Sequence, residues 1–304
     1  MPDCRPEEQY RTPPGYYDRF FVYAYDADAL VDGLDYRGLP VQVESRSDFI
    51  MRKISGGPQV TVPVGVLPGP PYGRLQFYNP DGVQVSRAPL YSDHYRSLAV
   101  IPELRYPAGS AIVFDLYAVF RASHWVGDDE GVFGVTYLSQ LAFHGVKRAQ
   151  GEPDDKSGYR YYEKPYTYHY QLLIDWRAYS PAGLFAGAAP PHRFYLPIDH
   201  CDFELHQIAV TVTGTGTVPA IGTLAYMMLY DQNSRGCSNA PLWMNYLETN
   251  APDSFGNVIT PPLLYRTGSQ IMFDITSKCL LSIGAPDLPL NLDIDFAGVR
   301  RLPC

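Results

Sequence analysis

The feature that most limits how this chain can fold is a long-period internal repeat. Asp48-Phe49-Ile50-Met51-Arg52-Lys53-Ile54 lines up with Asp202-Phe203-Glu204-Leu205-His206-Gln207-Ile208, 154 residues later. Phe77-Tyr78-Asn79 matches Leu229-Tyr230-Asp231, and Ser86-Arg87-Ala88-Pro89-Leu90-Tyr91 matches Ser238-Asn239-Ala240-Pro241-Leu242-Trp243, both at an offset of 152. The longest block sets Pro102 to Asp115 against Pro261 to Asp274, at 159. The last sets Phe143-His144-Gly145-Val146-Lys147-Arg148 against Phe296-Ala297-Gly298-Val299-Arg300-Arg301, at 153. Five blocks keep one order while their offsets drift by a few residues. That is a tandem duplication, and it sets the architecture before any local propensity does.

The repeat divides the chain into an N-terminal arm (1–15), unit one (16–148), a linker (149–165) and unit two (166–304). The linker contains Gly151-Glu152-Pro153-Asp154-Asp155-Lys156-Ser157-Gly158, whose turn residues and charges suit a solvated connection. Gly (26) and Pro (28) together make up roughly 18% of the 304 residues, against about 12% in average usage. Long helices are disfavoured by that mixture, because Pro removes a backbone donor and Gly adds backbone entropy to be lost.

Each unit reads as strands. Leu290, Leu292, Ile294 and Phe296 alternate with Asn291, Asp293 and Asp295, the pattern of a strand with one face on a core and one in water. Tyr137, Leu141 and Phe143 hold the same place in unit one. Ile112, Phe114 and Leu116 share one parity, while Val113 points to burial on the second face. Within the Asp-Phe block the phase slips in both copies: Phe203 and Leu205 share one parity, Ile208, Val210 and Val212 the other, and Phe49 and Met51 stand likewise against Ile54. A β-bulge would return the apolar side to the core. About eight strands in roughly 135 residues predict an all-β protein of two tandem, internally duplicated, jelly-roll-like β-sandwich domains.

Charge and cysteine content narrow the function. The net charge of −8 argues against direct nucleic-acid binding, which leaves a basic footprint. Only five of the 24 basic residues are Lys, and the Arg and Tyr excess is the composition of protein interfaces. No secretory leader and no membrane span is read in the sequence, so synthesis in a cytoplasm is expected. The five cysteines (4, 201, 237, 279, 304) include no CxxC pair. Cys201 and Cys279 sit in apolar runs and read as small buried hydrophobes. Cys4 and Cys304, near the two chain ends, are candidates for a bridge between the termini or between subunits.

Catalytic patterns are missing: the chain has no GxSxG, HExxH, phosphate-cradling GxxxxGK[ST] or EF-hand loop. Thr213-Gly214-Thr215-Gly216-Thr217 reads as a hairpin turn. On a strand, His200, Asp202, Glu204 and His206 would share a face with metal-binding potential, but unit one does not repeat the pattern and a polar outer face is the expectation. Asp128-Asp129-Glu130 and Glu152-Pro153-Asp154-Asp155 read as solvated turns ahead of calcium loops. A glycoside hydrolase would need two acids facing across a cleft, a pairing that sequence does not display. No catalytic residue, metal site or cofactor is therefore expected. Tyr159, Tyr161 and Tyr162, then Tyr166, Tyr168 and Tyr170, form two aromatic clusters suited to a subunit contact or, as the alternative, to stacking on a sugar.

The blocks Tyr230-Asp231, Ser238-Asn239-Ala240-Pro241, Asn257 to Tyr265, Gln270 to Ile275 and Phe296 to Arg301 resemble tailed-bacteriophage virion structural proteins, most strongly over 195–304. The resemblance implies a non-enzymatic β-sandwich component of a particle, which partners itself and other virion proteins. A neck or collar protein is the first expectation, with a capsid decoration or minor capsid protein, or a carbohydrate- or receptor-binding module, as alternatives. A trimer of duplicated units would present six pseudo-equivalent modules.

Overall fold

A computed structural model describes residues 16–26, 34–59, 74–91, 98–119, 138–150, 161–174, 192–213, 225–243, 259–277 and 290–303. The first half supplies β1 (Tyr16–Asp26), β2 (Leu34–Gln42), β3 (Phe49–Gln59), β4 (Arg74–Phe77), β5 (Leu90–Tyr91), β6 (Leu98–Tyr106), β7 (Ala111–Val119) and β8 (Leu138–Gln150). The second supplies β9 (Tyr161–Ile174), β10 (His192–Pro197), β11 (Asp202–Thr213), β12 (Ala225–Leu229), β13 (Leu242–Trp243), β14 (Leu263–Tyr265), β15 (Gln270–Ser277) and β16 (Leu290–Pro303).

Strand order shows the duplication directly. The first half forms the sheets β1-β8-β3-β6 and β2-β7-β4-β5, the second β9-β16-β11-β14 and β10-β15-β12-β13. Adding eight to every strand number of the first half gives the second. Two four-stranded antiparallel sheets in this order make an eight-stranded jelly roll, so the chain is all-β and contains that sandwich twice.

The two faces of each sandwich meet through equivalent aromatics. In the first, Tyr23 of β1 packs edge-on to Phe49 of β3 at 4.9 Å, and Phe114 of β7 meets Phe143 of β8 across the sheets at 5.7 Å. In the second, Tyr168 lies 4.9 Å from Phe203, and Phe273 lies 5.3 Å from Phe296. The predicted bulges are present at equivalent places. The register slips between Met51 and Lys53 where β3 faces β8, and between Leu205 and Gln207 where β11 faces β16. Each slip turns the later part of the strand so that Ile54, or Ile208 and Val210, re-enters the core.

Equivalent polar links tie the sheets to their turns. Asp48 accepts from the Ala108 N–H at 2.9 Å, and Asp202 accepts from the Thr267 N–H at the same distance. These bonds, with Arg105 and Arg266 alongside, hold both carboxyls below their ordinary range against the cost of burial. Asp115 accepts from the Tyr78 hydroxyl and Asp274 from the Tyr230 hydroxyl, each at 2.6 Å. Tyr106 and Tyr265 in turn donate to the carbonyls of Tyr78 and Tyr230, at 2.8 and 2.7 Å.

Two departures from the sequence reading stand out. First, β8 continues to Gln150 and β9 begins at Tyr161, so both strands take residues from the 149–165 stretch read as a linker. Cross-strand pairing of Tyr16 with Gln150 and of Pro303 with Tyr161 extends them past the turn signals. Second, the clean in-out alternation expected of β8 is absent. Gln140, Ala142 and His144 are buried along with Leu141 and Phe143, because the second half covers part of the outer face.

His144 carries a consequence for acid stability. Its ring is buried, its Nε2 has no hydrogen-bond partner among the described residues, and burial, aided by the nearby Lys53 charge, pushes its pKa from 6.5 down to about 3. Folded protein therefore keeps it neutral while unfolded chain takes up a proton below about pH 6.5. Stability is full above that value and falls as pH drops toward 3. Between pH 7 and 5 the loss is expected to reach roughly 2 kcal/mol, a window above the range in which the carboxylates titrate. Thermal melts should show His144→Leu losing less Tm over that window than the native chain; equal losses would contradict the assignment.

Candidate assembly interface

The most elaborate polar site in the described residues is the seam where the first half's edge strand meets a turn of the second. β1 is an edge strand, and an unpaired edge invites association. Here it is covered. The Val22 N–H donates to the Cys237 carbonyl at 2.9 Å, and the Asn239 N–H donates to the Val22 carbonyl at 3.3 Å. Val22 and Ser238 thus form a parallel bridge. The Asn239 side chain clamps Ala24 from both sides, accepting from its N–H at 2.6 Å and donating to its carbonyl at 3.0 Å.

The turn itself is built around Asp231. Its carboxylate accepts from the N–H groups of Asn233 and Arg235, at 3.0 and 2.9 Å, as an Asx turn does. The same carboxylate pairs with Arg235 at 2.9 Å and, across the seam, with Arg19 at 3.1 Å. Arg19 also donates to the Gly236 carbonyl at 2.6 Å, Arg235 to the Tyr17 hydroxyl at 3.1 Å, and Gln140 to the Pro241 carbonyl at 3.0 Å. Arg19 and Asp231 are nearly buried, so their charge-assisted bonds matter more here than they would in water.

Apolar packing follows from the parity of β1. Phe21 and Tyr23 point into their own sandwich, while Phe20, Val22 and Ala24 join Ala142 against the core of the second half. Such a strand, apolar on both faces, reads as a continuous hydrophobic run, as Phe20-Phe21-Val22-Tyr23-Ala24 does. Cys237 is a free thiol at the centre of this contact, 2% exposed, its pKa pushed up to about 12 by burial; it packs as a hydrophobe.

A cleft of about 230 Å³ opens beside the seam, lined by Arg19, Asp231 and Arg235 on one side and by Glu204 and Arg301 on another. Within the wall Asp231 is paired with Arg19 and Arg235, and Glu204 with Arg301, while Asp18 reaches Arg148. Among the described residues, no group of three or more His, Cys, Asp or Glu is placed to hold a metal. In the His200 to His206 stretch, Asp202 pairs with Arg266 at 2.8 Å, and Glu204 lies 3.4 Å from His206 and beside Arg301.

The predicted interface aromatics separate. Tyr168 and Tyr170 turn their rings into the second sandwich, against Phe203 and Phe273, so those rings serve the core instead of a partner surface. Strand parity explains this, since Tyr168 and Tyr170 stand where Tyr23 and Tyr25 stand in the first half. Tyr166 is 38% exposed, with the Arg300 guanidinium 3.3 Å over its ring. Its counterpart Phe21 carries Lys147 at 3.1 Å, and burial lowers that lysine's pKa to about 8 although Glu44 bonds it. Tyr161 and Tyr162 belong to β9. Cys4, Cys304, Cys279, Tyr159 and the acidic stretches 128–130 and 152–155 lie outside the described residues.

What the sequence reading missed is the turn 230–241 as a docking element. Its duplication with 78–89 is visible in the sequence, but nothing there marks either copy as a docking element.

No protein-family model matches the chain, and no curated protein does. Among solved structures it is similar to PBCV-1 VP54, whose crystal structure was fitted into a cryo-EM reconstruction of the virophage Sputnik. The two share 10% identity over 96% of each chain, with a TM-score of 0.23. At that score the fold rests on the strand order, not on the likeness.

Proposed function

We propose that this chain is a non-enzymatic structural subunit of a virus particle, and that it builds the particle's shell as a homotrimer. The observation that carries the reading is the double sandwich itself. One eight-stranded jelly roll is made twice in series, and the edge strand of the first is sealed by a turn of the second. Jelly rolls serve viral capsids and lectins alike. A lectin needs a concave site with polar groups free to meet a sugar, whereas in the cleft at this seam Asp231 is held by Arg19 and Arg235, and Glu204 by Arg301. Two modules of one strand order per chain suit closed rotational assembly: three chains place six similar modules around one axis, and a six-cornered plate tiles a surface.

The neck or collar of a tailed-phage particle is the alternative placement, since a ring uses the same modules. Two measurements test the reading. Mass photometry of the purified chain is expected to give about 102 kDa, three times the 34.1 kDa protomer. Immunogold labelling of particles is expected to cover the whole shell. Label confined to one vertex would move the assignment to a neck or collar. A monomer that binds a glycan array would replace the structural role with a receptor-binding one.

A further inference from the structure

The turn that seals β1 has a twin in the first half, and that twin is exposed. Residues 78–89 repeat the geometry of 230–241 bond for bond. Asn79 N–H to Val83 carbonyl (2.9 Å) corresponds to Asp231 N–H to Arg235 carbonyl (3.0 Å), and Gly82 to Asn79 corresponds to Ser234 to Asp231, both 2.9 Å. The bridges Tyr78–Gln84 and Tyr230–Gly236 coincide, and Gly82 and Ser234 share positive φ values of 75° and 60°. Ser86 and Ser238 each donate to the carbonyl two residues ahead, at 2.8 and 2.6 Å. The surroundings differ. Cys237 is 2% exposed in the seam, while its counterpart Val85 is 45% exposed and nearby Val83 is 60% exposed.

The surface that such a turn docks on is also duplicated. β9 matches β1: Tyr166 and Tyr168 repeat the edge-on ring pair of Phe21 and Tyr23, each pair at 4.9 Å. β9 is likewise an edge strand, with no strand on its outer side among the described residues. Thr167 stands at the position of Val22, and it is exposed where Val22 is fully buried.

Charge completes the match. Asn239, the clamp of the seam, has Arg87 as its counterpart. Ala24, which Asn239 clamps, has His169, and neighbouring Gln140 and Ala142 have Asp293 and Asp295. His169 lies 2.7 Å from Asp295 and 3.5 Å from Asp293, so here β9 and β16 set two carboxylates where the seam has Gln140 and Ala142, while Lys164 takes the place of Arg19. A turn bearing Arg87 would bring a cation onto these carboxylates.

We infer that the turn 78–89 of one copy docks on the β9 edge of a second copy, as its twin docks on β1 within the chain. The ring then alternates an internal seam with an intermolecular one. Its closure at three chains rests on the trimer proposed above, but the docking surface does not. The contact is heterologous, so one surface supplies the turn and a different one the edge.

Thr167→Cys combined with Ser86→Cys tests it, because these residues are the counterparts of the bridged pair Val22 and Ser238. With Cys4 and Cys304 replaced by Ser, the double variant under oxidation is expected to give dimer and trimer bands on a denaturing gel without reductant, and neither single variant should. Arg87→Glu should raise the concentration at which trimers dissociate by at least about tenfold, because it sets like charges together. Asp295→Arg in the same chain should restore assembly. A trimer that neither cross-links through this pair nor responds to Arg87→Glu overturns the inference and leaves the trimer standing. A native chain that stays monomeric at every concentration overturns both. A ladder running beyond three supports the docking and overturns closure at three.

Discussion

Gly298→Ala is expected to prevent the second sandwich from forming its native register, and Gly145→Ala to do the same in the first. A Cβ on Gly298 would lie 1.8 Å from the Glu204 carbonyl oxygen and 2.9 Å from its carbon. On Gly145 it would lie 2.0 Å from the Ile50 oxygen and 2.9 Å from its carbon. Both glycines face the bulge: Leu205 pairs with Gly298 and Met51 with Gly145, one step before the register slips. The bulge pushes the preceding carbonyl across the strand, and backbone cannot rotate away as a side-chain tip would. Overpacking usually costs about 1–3 kcal/mol, and a clash with backbone on a central strand belongs at or above the top of that range. For a chain of this size that is a Tm loss of roughly 6–12 °C, or no folded protein at all. Gly268→Ala is the control. It sits at φ +80° with nothing within 4 Å of an added Cβ, so it should cost only the left-handed backbone penalty of about 1–2 kcal/mol. Thermal denaturation of the three variants separates clash from strain; equal losses would show that the bulge is not what requires these glycines.

The bulge also shows how far the sequence could be read. The phase slips of Phe203 and Leu205 against Ile208, and of Phe49 and Met51 against Ile54, were visible because burial on one side leaves a period-two trace. The jelly roll followed from strand count and duplication. The extent of β8 and β9 was hidden, because Pro153, Asp154 and Asp155 report local turn preference while strand length is set by partners far along the chain. The seam was hidden for another reason. Val22 contributes through backbone N–H and carbonyl groups that every residue owns, and Asn239 and Asp231 look like common turn residues. The one available signal was the unbroken apolar run 20–24, too continuous for a strand with a wet face. Tyr168 and Tyr170 were drawn to an interface by composition, when their parity matched the core residues Tyr23 and Tyr25.

Val22→Asp is expected to uncouple the two halves. Val22 is fully buried, packs with the second half's core and gives both backbone groups to the turn. A carboxylate there would lose its hydration at the centre of an apolar contact, and Arg19 of the same strand is already engaged by Asp231 and Gly236. Burying an uncompensated polar group or charge stands among the few single changes that cost above about 3 kcal/mol. The penalty falls on the seam rather than on either sandwich, because Phe21 and Tyr23, which hold β1 in its own core, are untouched. Denaturant unfolding of the native chain is therefore expected to be one transition, and that of Val22→Asp two, with proteolysis between the halves accelerated. Thr167→Asp at the duplicate position supplies the contrast. Thr167 is exposed, so the monomer should lose no more than about 0.5 kcal/mol. If β9 is the second docking edge, the same change should nevertheless weaken assembly, so stability and oligomerisation would respond in opposite order in the two variants. A single unfolding transition in Val22→Asp, at unchanged midpoint, would mean that the seam does not hold the halves together.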